Sequence, residues 1–330
     1  MDEKGFFPQS IRKRAALLIA ILAALTYVLI TRVIFGSDFN VYGPFSLSFF
    51  FLAPPILGFL TIILLPPEKE VSIPNAMLLP LAPMLACIFI AGIFHVEAWF
   101  CVILALPIFV GLASFGGIIA RFIRKLDRGP RFGALLFAVS LPYLVTPIES
   151  LFPVQESIRR VHSQIDINAS ASVVWANITN FDPILPSEQS FAFFHLIGLP
   201  RPKRAQMHCA QVGCIRQGHW ENGLVFDGTI TEIELGKSYW VDLRADTRNV
   251  RSSMAPLAQI GGSQFGMVDD GYFIEDLGEG GSILHLYSTY RISTGINAYA
   301  GLWLDFLMRD IQRYILGIEK VRSESQAAFN

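Results

Sequence analysis

Five long uncharged runs crowd into the first 150 residues, and no other feature limits what this chain can fold into as strongly. Ala15–Thr31 holds 17 residues and continues past Arg32 to Phe35; Phe39–Pro67 holds 29, Val71–Val96 26, Ala98–Ala120 23 and Phe132–Ile148 17. A helix needs about 20 apolar residues to cross the hydrocarbon core of a bilayer. The runs are rich in Leu, Ile, Phe and Ala and lack the polar face of a surface helix. Packed into a soluble core, they would leave nothing polar to cover them. An N-terminal all-α transmembrane bundle is therefore expected over residues 1–150, with spans at 15–35, 45–66, 75–96, 98–120 and 132–150. The first run follows Lys4, Arg12, Lys13 and Arg14, as a secretory signal would. It is longer than a usual signal core and no small-x-small cleavage site follows, so it reads as a retained span.

Basic residues in short loops set the orientation of such a bundle. The head carries Lys4, Arg12, Lys13 and Arg14, and loop 121–131 carries Arg121, Arg124, Lys125, Arg128 and Arg131. The loop after the second span has only Glu68, Lys69 and Glu70. Head and 121–131 loop belong on the cytoplasmic side, which agrees with four crossings between them. The fifth run is short, carries Pro142 and Pro147, and is followed by Arg159 and Arg160. If it crosses, the rest of the chain lies outside the cytoplasm; if it is half-inserted, the rest stays cytoplasmic. Crossing is the favoured expectation, giving a multi-pass protein of the cell (inner) membrane with a cytoplasmic N-terminus. No Asp, Glu, Lys or Arg lies mid-span, so the usual intramembrane ion pair or proton relay is missing. Prolines 54, 55, 80, 83 and 107 suggest kinked, mutually packed helices, and anchoring is preferred to transport.

Charge changes with the composition. From Gln155 onward there are 15 Lys/Arg against 19 Asp/Glu, a net of −4, whereas the preceding part carries +3, mostly in the two basic clusters. Neither half has the basic stripe of a nucleic-acid surface. The four cysteines do not make a disulfide framework. Cys87 and Cys101 lie in apolar runs, where a thiol behaves as a small hydrophobe. His208, Cys209, Cys214 and His219 lack the spacing of a zinc site, so no metal is expected. A Cys209–Cys214 disulfide is open if a turn joins them and the domain lies outside the cytoplasm.

Residues 155–325 read as a second domain of α+β class. Arg159–Ile167 is a strand, Asn168–Ser172 an N-cap cluster and Val173–Ile178 a short helix. A Pro-rich irregular stretch runs from Asp182 to Pro202. Strand signals follow at Val212–Gln217, Leu224–Glu234, Tyr239–Arg244, Phe265–Asp276 and Ser282–Ser293, punctuated by Asn222-Gly223, Leu235–Ser238, Gly261-Gly262 and Gly278–Gly281. A long helix closes the chain from about Asn297 to Arg322. At 3.6 residues per turn, Tyr299, Trp303, Phe306, Leu307, Tyr314, Ile318 and Val321 share a face, with Ile311 and Ile315 at its flank. Asp305, Arg309, Gln312, Arg313 and Glu319 fall mostly on the other face, where Asp305 and Arg309 make an i,i+4 pair. Asp310 breaks the apolar face and needs a partner, for which Arg216 and Arg291 are candidates. Such a pair either anchors a ligand or closes the helix onto the sheet.

This arrangement resembles the START-like helix-grip superfamily, also called SRPBCC or polyketide cyclase/dehydrase-like. The matching pieces are SQIDINASASVVWANITNFDPI, VGCIRQGHWENGLVFDGTITEIELGKSYWVDL, GYFIEDLGEGGSILHLYSTYRI and NAYAGLWLDFLMRDIQRYILGIEKVRSE, together about residues 159–324. The ending is similar to the subset of bacterial members with N-terminal membrane spans. The resemblance implies an antiparallel curved sheet gripping the last helix around an apolar cavity. It also implies a hydrophobic or amphipathic ligand such as a lipid, sterol-like molecule, polyketide or other isoprenoid; no cofactor is expected. It does not imply one chemistry, because carriers, receptors and enzymes share the scaffold without shared catalytic residues. On this basis the cavity wall would include Trp175, Phe226, Tyr272, Trp303, Phe306, Leu307 and Tyr314, with Asp310 and Arg216 or Arg291 as polar anchors.

His195, His219 and His285 are candidate acids or bases, but no catalytic constellation follows from their spacing. His285 alternates with Tyr287 and Arg291, which suits a polar pocket lining, although a solvated outer face is the favoured expectation. The glycines of 278–281 make a turn, not a phosphate loop. The expected function is membrane-anchored binding, with possible transfer, of a hydrophobic ligand; an acid–base enzyme and a scaffold or sensor with a vestigial cavity are the alternatives. The bilayer is the expected environment and no protein partner is indicated.

Overall fold

Apolar periodicity and turn chemistry divide the chain between Val154 and Gln155 into two compact units in the computed structural model. The structure describes residues 9–36, 46–66, 70–94, 99–126, 132–152, 154–181, 183–246, 248, 264–278 and 280–329. Lys4, Glu68, Lys69, Arg128, Arg131 and the Gly261-Gly262 turn lie outside the described residues, as do the side chains of Arg12, Lys13 and Cys101.

The N-terminal unit contains α1 (Gln9–Gly36), α2 (Leu47–Ile63), α3 (Ile73–Leu78), α4 (Leu81–Ile93), α5 (Trp99–Leu126) and α6 (Phe132–Glu149). Among the described residues three stretches are long and apolar enough to cross a membrane: Arg14–Phe35, Ile73–Ile93 and Val102–Leu126. Leu47–Ile63 and Leu135–Glu149 are shorter apolar helices. Their packing rests on small residues. A Cβ at Gly58 would fall 1.8 Å from the Ala113 carbonyl oxygen, and one at Gly116 1.8 Å from that of Pro55, so α2 and α5 meet backbone to backbone. Leu57, Ile62, Ala24 and Ala113 are fully buried in the cores between these helices.

Two polar clamps fix α2 at its ends. Ser46 caps it by accepting from Phe49 N (3.2 Å), and the Glu149 carboxylate accepts from Leu47 N (2.6 Å), Ser48 N (2.9 Å) and the Ser48 hydroxyl. At the other end Arg124 donates to the Leu65 and Pro66 carbonyls (2.6 and 2.7 Å) and more weakly to Ile62 and Ile63, while Arg121 donates to Val71 O (2.8 Å). Two of the basic residues read for orientation therefore also satisfy carbonyls left open at a helix end.

The C-terminal unit is a single antiparallel sheet of eight strands. They are β1 (Ser157–Ile167), β2 (Asn180–Phe181), β3 (Pro202–Met207), β4 (Ile215–Trp220), β5 (Val225–Glu234), β6 (Ser238–Asp246), β7 (Phe265–Gly278) and β8 (Gly281–Ile292). The order is β1-β8-β7-β6-β5-β4-β3-β2, so the first strand pairs with the last. Helices α7 (Ala171–Thr179), α8 (Phe193–Leu196) and α9 (Asn297–Phe329) complete the unit. The β4–β5 hairpin turns at Asn222 and Gly223, with φ of 59° and 81°, where an Asn-Gly pair tolerates the left-handed region. The core lies between one sheet face and α7 and α9, with Ile230, Tyr239, Val241, Tyr272, Leu284, Leu286, Val174, Ile178 and Leu316 buried together. This is a curved antiparallel sheet around a long closing helix, the helix-grip architecture.

Candidate functional site

Strand alternation decides which side chains enter the interior. On β8 the buried Leu284, Leu286, Ser288, Tyr290 and Ile292 face α9, so His285, Tyr287 and Arg291 point the other way. His285 and Arg291 are therefore not pocket residues, a correction to the reading of β8 as pocket lining. His285 is only 8% exposed because its own face is covered. It meets His162 (Nε2···Nδ1 3.1 Å), Phe273 (ring centroids 5.5 Å) and Glu275 (3.5 Å), and His162 stacks on Tyr287 at 4.3 Å. Burial, then the neighbouring His285, holds His162 below the usual imidazole range. Arg291 pairs with Glu156 at 3.6 Å.

Helix α9 is covered on two sides, which separates the remaining candidates. Its sheet-facing stripe includes Met308, Gln312, Leu316, Glu319 and Ser323, all buried. Gln312 and Glu319 are each 1% exposed, although the hydropathy pattern assigns them to solvent. The stripe with Leu307, Asp310 and Tyr314 faces α8 instead. Tyr314 packs edge-on against Phe194 (5.5 Å) and His195 (4.7 Å). Asp310 accepts from Phe194 N at 2.8 Å, so it caps α8 and pairs with neither Arg216 nor Arg291. Phe306 is 46% exposed, touching Phe193 at 5.4 Å and the partly buried Trp303 at 6.2 Å. Helix and sheet are tied by another pair: Arg159 binds Asp305, which also accepts from Tyr290 Oη at 2.6 Å. Asp305 thus faces β1 rather than serving only Arg309.

Trp175, Phe226 and Tyr272 do pack in the interior, together with Arg216. The Arg216 guanidinium lies over the Tyr272 ring (5.6 Å) and the Tyr239 ring (5.8 Å). Burial works against its charge, but the oxygens of Tyr239 and Tyr272, then Asp270 and Glu319, outweigh it and hold the cation. Tyr239, whose hydroxyl donates to Ile178 O at 3.1 Å, is itself raised by burial. Asp270 is two residues from Tyr272 and paired in register with Ser288, so it shares the inner face. Burial pushes Asp270 up to about 7 and Glu319 up to about 8. Gln312 Nε2 donates to Ser288 Oγ (3.0 Å) and Val161 O (3.2 Å), and Ser288 lies opposite Asp270 in the strand register.

Four buried polar atoms of this group have no protein partner: Arg216 Nε, Asp270 Oδ1, Gln312 Oε1 and Glu319 Oε2. Such atoms are uncommon in folded proteins, and each costs about 1–3 kcal/mol if nothing satisfies it. Here they come from β4, β7 and two turns of the sheet-facing stripe of α9. Of this constellation only Arg216 was a candidate from sequence. Asp270 and Ser288 were within reach of strand period two counted from Tyr272 and Leu286; Gln312 and Glu319 were not, because hydropathy alone gives α9 a single buried face. Cys209 and Cys214 form a disulfide with Cα atoms 5.7 Å apart, closing the loop between β3 and β4. Among the described residues no cluster of His, Cys, Asp and Glu could hold a metal ion.

No protein-family model and no curated protein matches the chain. Solved structures do. A START superfamily protein from Mycobacterium smegmatis is 11% identical, over 51% of this chain and 98% of that one, with a TM-score of 0.35. The Zhui aromatase/cyclase from Streptomyces sp. R1128 is 11% identical over 52% and 96%, with a TM-score of 0.34. A norcoclaurine synthase of Thalictrum flavum is 12% identical over 52% and 99%, with a TM-score of 0.32. The strand order and long closing helix of this chain's C-terminal unit are by themselves those of a helix-grip fold.

Proposed function

We propose that this is a membrane-anchored protein whose helix-grip unit binds a hydrophobic ligand, and moves it to or from the bilayer. The observation that carries the reading is the group of four unpartnered polar atoms around Arg216, set inside an otherwise apolar interior. Apolar walls favour a lipid-like body, and a few convergent polar groups fix one end of it. Native mass spectrometry of the full-length protein in detergent tests this. A lipid-like adduct that survives detergent exchange is the expected result; a ligand-free protein that takes up no apolar compound overturns it.

A second reading, acid–base catalysis on the same ligand, draws on the carboxyls of Asp270 and Glu319, raised to about 7 and about 8. The two readings part on the fate of the ligand. A carrier releases it unchanged from both wild type and Asp270→Asn. An enzyme returns it altered from wild type and unaltered from the variant.

The reading also includes a side of the membrane. Tyr27 donates to Val139 O (3.3 Å) and Thr31 bonds Tyr143 (2.7 Å), so α1 and α6 run in the same direction. Glu149, at the end of α6, clamps the N-terminus of α2, whereas Arg124 clamps its C-terminus. A helix parallel to a spanning α1, and reaching the far end of α2, crosses as α1 does. With the basic head inside, the C-terminal unit then lies outside the cytoplasm, where the Cys209–Cys214 disulfide persists. Impermeant thiol labelling at an exposed C-terminal position reads the side directly.

A further inference from the structure

We infer that the polar end of the ligand is a hydroxyl, alcoholic or phenolic, and not a carboxylate or phosphate; this rests on the ligand-binding reading above. The argument is a count of donors and acceptors. Gln312 spends both amide hydrogens, on Val161 O at 3.2 Å and on Ser288 Oγ at 3.0 Å. Turning the amide over would set its oxygen against the Val161 carbonyl, so Oε1 is fixed as an acceptor. Ser288 accepts from Gln312, and Asp270 Oδ1, opposite it in register, is a second acceptor when ionised. Arg216 Nε is a fixed donor. Glu319 Oε2 accepts when ionised and is open to carrying a proton when neutral.

A ligand group that satisfies this set must give a hydrogen bond as well as take one. A hydroxyl does both, with one donor and two lone pairs. A carboxylate or phosphate anion only accepts, and would leave Gln312 Oε1 and Asp270 Oδ1 facing another acceptor. Charge points the same way. Arg216 is the cation of the group and already faces Asp270 and Glu319. Arg322, near Glu319, is held by Glu188 at 2.6 and 2.8 Å. An anionic ligand would have to share Arg216 with Asp270 and Glu319 whenever these are ionised.

The experiment presents full-length protein in detergent with equimolar hexadecan-1-ol and hexadecanoic acid at pH 7.5 and reads bound species by native mass spectrometry. The alcohol complex should exceed the acid complex by about tenfold or more, equivalent to ~1.4 kcal/mol. In Gln312→Met, which keeps the length and loses the acceptor, the preference should fall toward parity. Uptake of the acid equal to or above that of the alcohol overturns the hydroxyl assignment while leaving the ligand-binding reading intact. A preference unchanged in Gln312→Met places recognition elsewhere and also overturns it. Uptake of neither compound removes the ligand-binding reading and this inference with it.

Discussion

Single buried carboxyls give the clearest physical handle on this chain. Glu319 is 1% exposed, and burial raises it from an ordinary value of 4.5 to about 8. Between those limits the folded protein holds a proton that the unfolded chain has released. Its stability therefore falls as pH rises through the window and levels off above about 8. Asp270 adds to the same limb, from 3.8 to about 7. Glu188 and Asp305 behave oppositely. The hydrogen bonds from Arg322 and Arg159 hold them below the usual carboxylate range, so their contribution is present at neutral pH and lost on acidification. Thermal unfolding of the detergent-solubilised protein should show a wild-type midpoint that drops from pH 5.5 to 8. Glu319→Gln should flatten that limb without altering the acid one. A variant whose midpoint falls as steeply as wild type would mean that Glu319 is not the titrating group.

At the scale of elements, α9 shows where sequence reasoning works and where it stops. Its start at Asn297 was legible from the apolar period, though it runs past the expected Arg322 to Phe329; the long hairpins were legible too, because alternation and Asn-Gly or Gly-rich turns mark them locally. Strand β3 and helix α8 were not, since Pro200, Pro202 and Gly198 mask a 6-residue strand and a 4-residue helix whose order comes from tertiary contacts. The polar stripe of α9 was hidden for a related reason: a helix wrapped by a sheet on one side and α8 on another has more than one buried face. Arg322 and Glu188, 12% and 14% exposed, tie the far end of α9 to the segment before α8. Arg322→Ala should cost roughly 2–3 kcal/mol, below the range for a fully buried pair because both partners retain some water. Arg309→Ala, at an exposed i,i+4 site, should cost no more than about 0.5 kcal/mol. Chemical denaturation of the two variants side by side checks the contrast, and equal losses would refute the division of α9 drawn here. Within the N-terminal unit, Glu149→Ala should cost about 1 kcal/mol by uncapping α2, read as a lower midpoint of thermal unfolding.

For the whole molecule, the open question in the sequence was whether the run 132–150 crosses, because its length of 17 uncharged residues and its two prolines left both outcomes standing. The proposed crossing rests on helix pairing. The contacts Tyr27–Val139 and Thr31–Tyr143 advance together along α1 and α6, each separated by 112 residues in sequence, which only parallel helices produce. The Glu149 clamp then sets the end of α6 at the opposite end of α2 from Arg124. Pro142 does not block such a path, since α6 runs on through it from Phe132 to Glu149. The prediction uses Ser325→Cys, an exposed position near the end of α9. A membrane-impermeant maleimide should label it in intact cells as fully as in lysed ones. Cys209 and Cys214 should resist the same reagent until a reductant opens their disulfide. Labelling of Ser325→Cys only after lysis would put the unit in the cytoplasm. The disulfide would then be reduced, the cavity would serve the inner leaflet, and α6 would have to leave the membrane on the side where it entered.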